Sequence, residues 1–170
     1  MLEFWLALQF LTRLPTPRLA KATPKAIGHS LLFYPMVGII MGGLLLGAVQ
    51  ITGELSTLLA AALVLALWVY LSGALHIDGL ADMSDAWVGG YGDRERTLAI
   101  MKDPYCGPMG LSVVVLLLLL KFAAVSEILE GDTLFLVLAP VAGRSMALLL
   151  MLTTPYCREA GLASDMVRHL

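Results

Sequence analysis

Four stretches of this chain, residues 31–52, 55–76, 107–129 and 134–153, run almost without charge. Each matches the ~20 residues a helix needs to cross a bilayer. A chain with four such stretches has few options, because in lipid every backbone polar group must be bonded internally. Composition agrees: 59% of the 170 residues are hydrophobic and 14% are charged, against about a quarter charged in soluble domains. The expected fold class is therefore all-α, a polytopic helical membrane bundle forming one domain over residues 1–170. Its expected surroundings are a lipid bilayer. A net charge of -2 gives no electrostatic reason to expect nucleic acid as a partner.

The remaining segments differ in character. Residues 2–14, "LEFWLALQFLTRL", are apolar but too short to span, and "PTP" at Pro15–Pro17 ends them. They read as an interfacial or re-entrant helix with Phe4 and Trp5 near headgroup level. No small-residue cleavage site follows, so no secretory signal is expected. Gly38, Gly42, Gly43 and Gly47 recur at helical spacing in the first span and suit close helix contact. The connectors near Gly53 and at Glu130–Asp132 are short and acidic. The N-terminal segment with Arg13, Arg18, Lys21 and Lys25, the stretch 77–106 and the tail after Thr154 carry nearly all the Lys and Arg. The positive-inside rule puts these three on the cytoplasmic side. Cys106 and Cys157 lack zinc-site spacing and read as unpaired thiols.

Two cations fall inside spans. Lys121 reads as a side chain snorkelling to an interface. Arg144 lies near the middle of its span, where a charge costs about 3 kcal/mol or more on insertion scales, so it is expected to face a cavity or an anionic partner.

The chemistry-bearing stretch is "LHIDGLADMSDAW", Leu75 to Trp87. If the helix of the second span continues through Asp85, then Asp78, Asp82 and Asp85 stand at i, i+4, i+7, within about 60° on one face. Gly79 between them leaves room for a helix or a phosphate to approach. A solvated acidic helix end is one reading. The other is a divalent site: two carboxylates about 5 Å apart at an effective dielectric of about 20 repel by roughly 3 kcal/mol, and Mg²⁺ is the natural counter-ion for oxygen ligands. Downstream, "GGYGDRERTLAIMKDPYCGPMG" offers a glycine-rich turn at Gly89, Gly90 and Gly92, a short helix carrying Arg94, Arg96 and Lys102, and Asp103 at a chain break before Pro104. Carboxylates, glycines and cations on one membrane face suit a phosphate ester held by metal and Arg or Lys. An ordinary basic loop remains the alternative.

At these residues the chain resembles the cobalamin synthase family, the adenosylcobinamide-GDP ribazoletransferases. The blocks that carry the likeness are "FWLALQFLTRLPTP" from Phe4, "GALHIDGLADMSDAW" from Gly73, "GGYGDRERTLAIMKDPYCGPMG" from Gly89 and "GRSMALLLMLTTPYCREAGL" from Gly143. Ala86 departs from the glycine expected after the last Asp, and "DPYCGPMG" is looser than the usual form. Family members usually continue with more membrane helices than this sequence holds.

The resemblance implies a multi-pass enzyme of the bacterial cell inner membrane, its active site facing the cytoplasm. It would join adenosylcobinamide-GDP to α-ribazole or its 5′-phosphate, giving adenosylcobalamin or its 5′-phosphate and GMP, with Mg²⁺. The chemistry is similar to that of CDP-alcohol phosphotransferases, although Asp82 stands near where their signature has an Arg. On this reading Asp78, Asp82 and Asp85 hold Mg²⁺. Asp82, Asp85, Asp103 and His76 are the catalytic candidates, with one carboxylate or His76 as base. Gly79, Arg94, Arg96, Lys102 and Arg144 are the substrate-binding candidates. A phospholipid-forming alcohol phosphotransferase and a small membrane transporter subunit are the competing readings. Oligomeric state, including a homo-oligomer, is left open.

Overall fold

The computed structural model describes residues 1–17, 19, 22–155, 166 and 169; Arg18, Lys21 and Cys157 lie outside the described residues. All regular structure among the described residues is helical: α1 (Leu2–Leu11), α2 (Pro24–Ser30), α3 (Tyr34–Thr52), α4 (Thr57–Leu71), α5 (Leu75–Gly90), α6 (Arg94–Ile100), α7 (Pro108–Glu130) and α8 (Phe135–Thr153). Thr23 caps α2, its hydroxyl accepting from the Ala26 amide at 3.2 Å, and Pro24 fits the first turn where no N–H partner is needed. One tight helical turn, Leu31–Phe33, joins α2 to α3.

Three helical segments are long and apolar enough to cross a membrane: Pro24–Thr52, Pro108–Glu130 and Phe135–Thr153. Leu116, Leu119 and Leu120 of α7 are among their many exposed apolar side chains. Such a surface is an aggregation liability in water and is matched by lipid tails. The second expected span, 55–76, is not one helix. α4 stops at Leu71 after 15 residues, about 22 Å at 1.5 Å per residue, short of the ~30 Å hydrocarbon core. The chain then turns through Ser72–Ala74, and α5 leaves at 84° to α4, so the pair is a broken span or a re-entrant unit.

α3 and α8 make the most extensive helix pair. Gly38 and Gly42 permit it: a Cβ at Gly38 would lie 2.7 Å from the Val141 Cα, and one at Gly42 2.5 Å from the Val137 Cα. The two backbones touch where no side chain intervenes. Gly43 and Gly47 face open space instead, so only half of the glycine series serves close packing.

α1 is drawn into the protein rather than lying apart from it. Its buried residues Ala7, Leu8 and Leu11 cluster with Leu31, Tyr34, Val37 and Met166, with Phe4 and Trp5 packed against the cluster. A second cluster joins Leu45 of α3, Ala61 and Val64 of α4, Val125 of α7 and Leu136 of α8. It binds α4 to the C-terminal half of α7, leaving the N-terminal end of α7 to α5.

Candidate functional site

The site begins at the break between α4 and α5. Gly73 and Ala74 both take left-handed backbone conformations, with φ of 61° and 58°. Glycine does so freely, whereas alanine there costs about 1–2 kcal/mol. The N-terminal segment steadies the turn: the Arg13 amide donates to the Leu71 carbonyl at 2.8 Å, satisfying an orphan carbonyl of α4. The Arg13 side chain also lies against Gly73, where a Cβ would meet it at 3.1 Å.

Because the break precedes Leu75, the acidic triplet does not continue the helix of the second span. Asp78, Asp82 and Asp85 sit together on α5, and their spacing keeps them on one face of that helix. Asp78 is exposed, while Asp82 and Asp85 are half-buried. Asp85 has a specific task. Its Oδ2 accepts from the Gly107 amide at 2.7 Å and its Oδ1 from the Gly110 amide at 2.8 Å. Gly107 is the N-cap of α7 and Pro108 has no N–H, so one carboxylate from α5 bonds two of the three orphan donors at the α7 N-terminus and meets the positive end of its dipole. A Cβ at Gly107 would lie 2.5 Å from the Asp85 Oδ1, and one at Gly110 would collide with the Asp85 carboxylate and the Ala81 carbonyl. The two glycines make the seat, and Asp85 fills it.

α6 packs against the far end of α5. Gly89 and Gly90 are the last residues of α5 rather than part of a turn. There a Cβ would meet the Ile100 and Thr97 side chains of α6. Asp93 caps α6, its Oδ1 accepting from the Glu95 and Arg96 amides at 2.8 and 3.0 Å. The Arg96 guanidinium lies over the Tyr91 ring at 5.2 Å. Lys102 falls just beyond α6, exposed, and Asp103 accepts from the Tyr105 amide at 3.0 Å in the loop leading to Cys106 and Gly107. This loop delivers Asp103 to within four residues of the Asp85 seat. Cys106 is a free, exposed thiol. Gly79 adjoins open space, with nothing within 4 Å of a Cβ placed there.

His76 stands apart from the carboxylates. Two residues before Asp78, it projects about 160° away around the helix. It lines a cavity of about 220 Å³ with Lys121 of α7 and Arg144 of α8. The Lys121 ammonium sits 4.6 Å from the centre of the Trp68 ring. Arg144 is buried, as its mid-span position requires. The convergence of these cations was not legible in the sequence, where each stands in a different apolar run.

Among the described residues, no three His, Cys, Asp or Glu side chains converge as a metal-ligand set. The donor chemistry of α5 nevertheless suits Mg²⁺ in its usual protein form, with one or two carboxylates and the remaining positions filled by water and substrate phosphate. Asp78 and Asp82, one helical turn apart, supply that pair, while both oxygens of Asp85 are engaged at the α7 N-terminus.

A family model described as cobalamin-5-phosphate synthase matches residues 3–170. The chain belongs to the cobalamin-5-phosphate synthase family. Curated relatives carry the name adenosylcobinamide-GDP ribazoletransferase. The one from Acinetobacter baumannii is 52% identical over 100% of this chain and 69% of its own length. That from Ectopseudomonas mendocina is 57% identical over 97% of this chain and 68% of its own. The Pseudomonas aeruginosa relative is 56% identical over 96% of this chain and 67% of its own. No solved structure matches the chain.

Proposed function

We infer that this chain is an adenosylcobinamide-GDP ribazoletransferase: it joins adenosylcobinamide-GDP to α-ribazole or α-ribazole 5′-phosphate and releases GMP. The observation that carries the reading is the match of almost the whole chain to one family. It sets aside the phospholipid-forming and transporter alternatives. The reaction breaks the pyrophosphate between the two phosphorus atoms. A ribose hydroxyl of the acceptor attacks the phosphorus bearing the corrinoid arm, its proton passes to a base, and GMP leaves with the other phosphate.

Asp78 and Asp82 are the residues that would hold Mg²⁺. When bound, the ion would supply charge neutralisation for the pyrophosphate oxygens and the departing phosphate. Asp85 keeps α5 locked to the start of α7, so the other two carboxylates stay in register with the loop from α6. Gly79 leaves the acidic face open to the donor phosphates. Arg94, Arg96 and Lys102 give that face positive neighbours suited to the GDP end. Asp82 and Asp103 are the base candidates for the acceptor hydroxyl. The reading is tested by incubating the membrane-embedded protein with adenosylcobinamide-GDP. GMP release should require both an acceptor and Mg²⁺, and release that ignores the acceptor would reject transfer.

The Lys and Arg distribution supports an inner-membrane orientation with the acidic face towards the cytoplasm. In intact cells carrying a Cys106→Ser, Cys157→Ser background, an impermeant thiol reagent should label Gly131→Cys and leave Asp93→Cys unlabelled until the membrane is opened. The opposite pattern would invert the topology.

A further inference from the structure

The cavity between α4, α5, α7 and α8 gathers positive groups that the acidic face does not use. Among the described residues its wall includes Trp68, Ser72, His76, Lys121, Pro140 and Arg144, and no Asp or Glu lines it. Lys121 rests on the Trp68 face at 4.6 Å, a contact that orients an ammonium without neutralising it. A third positive element is the start of α5. Ser72, His76 and Ile77 bring the wall to its first turn. No side chain caps that turn, so its orphan N–H groups present the positive end of the helix dipole. Asp78, the acidic residue of the same turn, projects about 160° away from His76.

Arg144 is held in place yet incompletely bonded. It is 6% exposed. One terminal nitrogen donates to the Pro140 carbonyl at 3.3 Å and the other to the Met41 Sδ, a weak acceptor. Its Nε has no partner. Burying a guanidinium among neutral partners alone is costly, and an anion bound beside it offsets that cost. The room is present, since 220 Å³ is several times the ~30 Å³ a water occupies. A polar approach is also present: the unwound turn supplies Ser72 to the wall, and His76 beyond it is exposed. Broken helix at membrane depth is tolerated where it lines such a cavity. Arg144 is the central residue of α8, about 14 Å from either end. That is too deep for a lipid headgroup when the hydrocarbon core is ~30 Å thick. The anion must be small and must come from water.

We propose that this cavity binds a small free oxyanion of the phosphate class, at a site separate from the acidic face of α5. The free Nε of Arg144 beside a terminal nitrogen offers a planar fork to two oxygens of a tetrahedral anion, a match that a halide cannot make. Lys121 adds a point charge, and the first amides of α5 add donors of the kind that helix N-termini give to phosphate. The ion ties the start of α5 to α7 and α8, as Asp85 ties its end to α7. With both ends held, the 84° break between α4 and α5 keeps one geometry. The site takes neither the donor nor the acceptor of the transfer reaction, so the proposal stands apart from the transfer reading.

The test melts the purified protein in detergent, without Mg²⁺, while inorganic phosphate replaces chloride at constant ionic strength. A ligand of the folded state stabilises as RT ln(1 + [L]/Kd), so the Tm of wild type should climb once phosphate passes its Kd. Loss of one charge-assisted contact in Lys121→Met or Arg144→Gln should raise that threshold by roughly 10- to 100-fold. Arg144→Lys should recover part of the loss, and Asp78→Asn should respond as wild type does. Lys121→Met reports the same site if Arg144→Gln fails to fold. The general stabilising action of phosphate salts would raise every variant alike. A second arm locates the ion: in a Trp5→Phe, Trp87→Phe background, phosphate should change Trp68 fluorescence saturably. In phosphate-free vesicles, replacing part of the phosphatidylcholine by phosphatidylglycerol should leave that signal unchanged. Equal phosphate responses in wild type, Lys121→Met and Arg144→Gln would overturn the proposal, as would a Trp68 signal that ignores phosphate. A Trp68 change produced by phosphatidylglycerol alone would also overturn it, giving the cavity to a lipid headgroup.

Discussion

Asp78→Asn and Asp82→Asn are each expected to lower the rate of GMP release by about 10³-fold, with little loss of folded protein. Asparagine keeps the size and one oxygen but removes the charge that would oppose Mg²⁺ and the pyrophosphate, and losing such preorganised charge stabilisation costs about 10²–10³ in turnover. Asp78 is exposed. Removing one of two like charges one turn apart relieves repulsion, so the stability of Asp78→Asn without metal should hold or rise. Rates are to be measured at saturating donor and acceptor. A variant within a few-fold of wild type would remove that residue from the chemistry.

Asp85→Ala should behave differently, lowering stability whether or not metal is present. It would leave the Gly107 and Gly110 amides without their acceptor at a helix N-terminus that is otherwise without a side-chain cap. Hydrogen bonds to a charged group are worth about 1.5–3 kcal/mol, so a loss of about 3 kcal/mol for the pair is expected. At 2–4 °C per kcal/mol for a chain of this size, the Tm should fall by roughly 6–12 °C. Circular-dichroism melts in detergent measure it. An unchanged Tm would mean that the α5–α7 seat contributes nothing to the fold.

The contrast marks how far the sequence could be read. The long spans were legible because uninterrupted apolar runs near 20 residues have one outcome in lipid: α3, α7 and α8 end within a few residues of the expected bounds. The break at Ser72–Ala74 was not, because Ser-Gly-Ala inside an apolar run disturbs neither hydropathy nor helix period. Gly73 was the available signal, and Ala74 in a left-handed conformation gave none. Asp78, Asp82 and Asp85 were found as a set through their spacing. Their division was hidden, since the seat of Asp85 is made by residues more than 20 positions away. Gly107, Pro108 and Gly110 hinted at it as a helix start stripped of side chains. Arg144 was legible as a costly charge and Lys121 as a snorkelling one. That they share a cavity depends on the packing of α4, α7 and α8, which no single stretch encodes.

The division of labour among the three carboxylates is the central claim, and one measurement addresses it directly. Wild type, Asp78→Asn, Asp82→Asn and Asp85→Asn are melted with and without Mg²⁺ in the presence of adenosylcobinamide-GDP, in the absence of acceptor. A ligand that binds the folded state raises stability as RT ln(1 + [L]/Kd). Mg²⁺ should therefore stabilise wild type, should fail to stabilise Asp78→Asn and Asp82→Asn, and should still stabilise Asp85→Asn from a lower starting Tm. Full Mg²⁺ stabilisation of Asp78→Asn and Asp82→Asn would contradict the account and return the acidic face of α5 to a solvated helix surface.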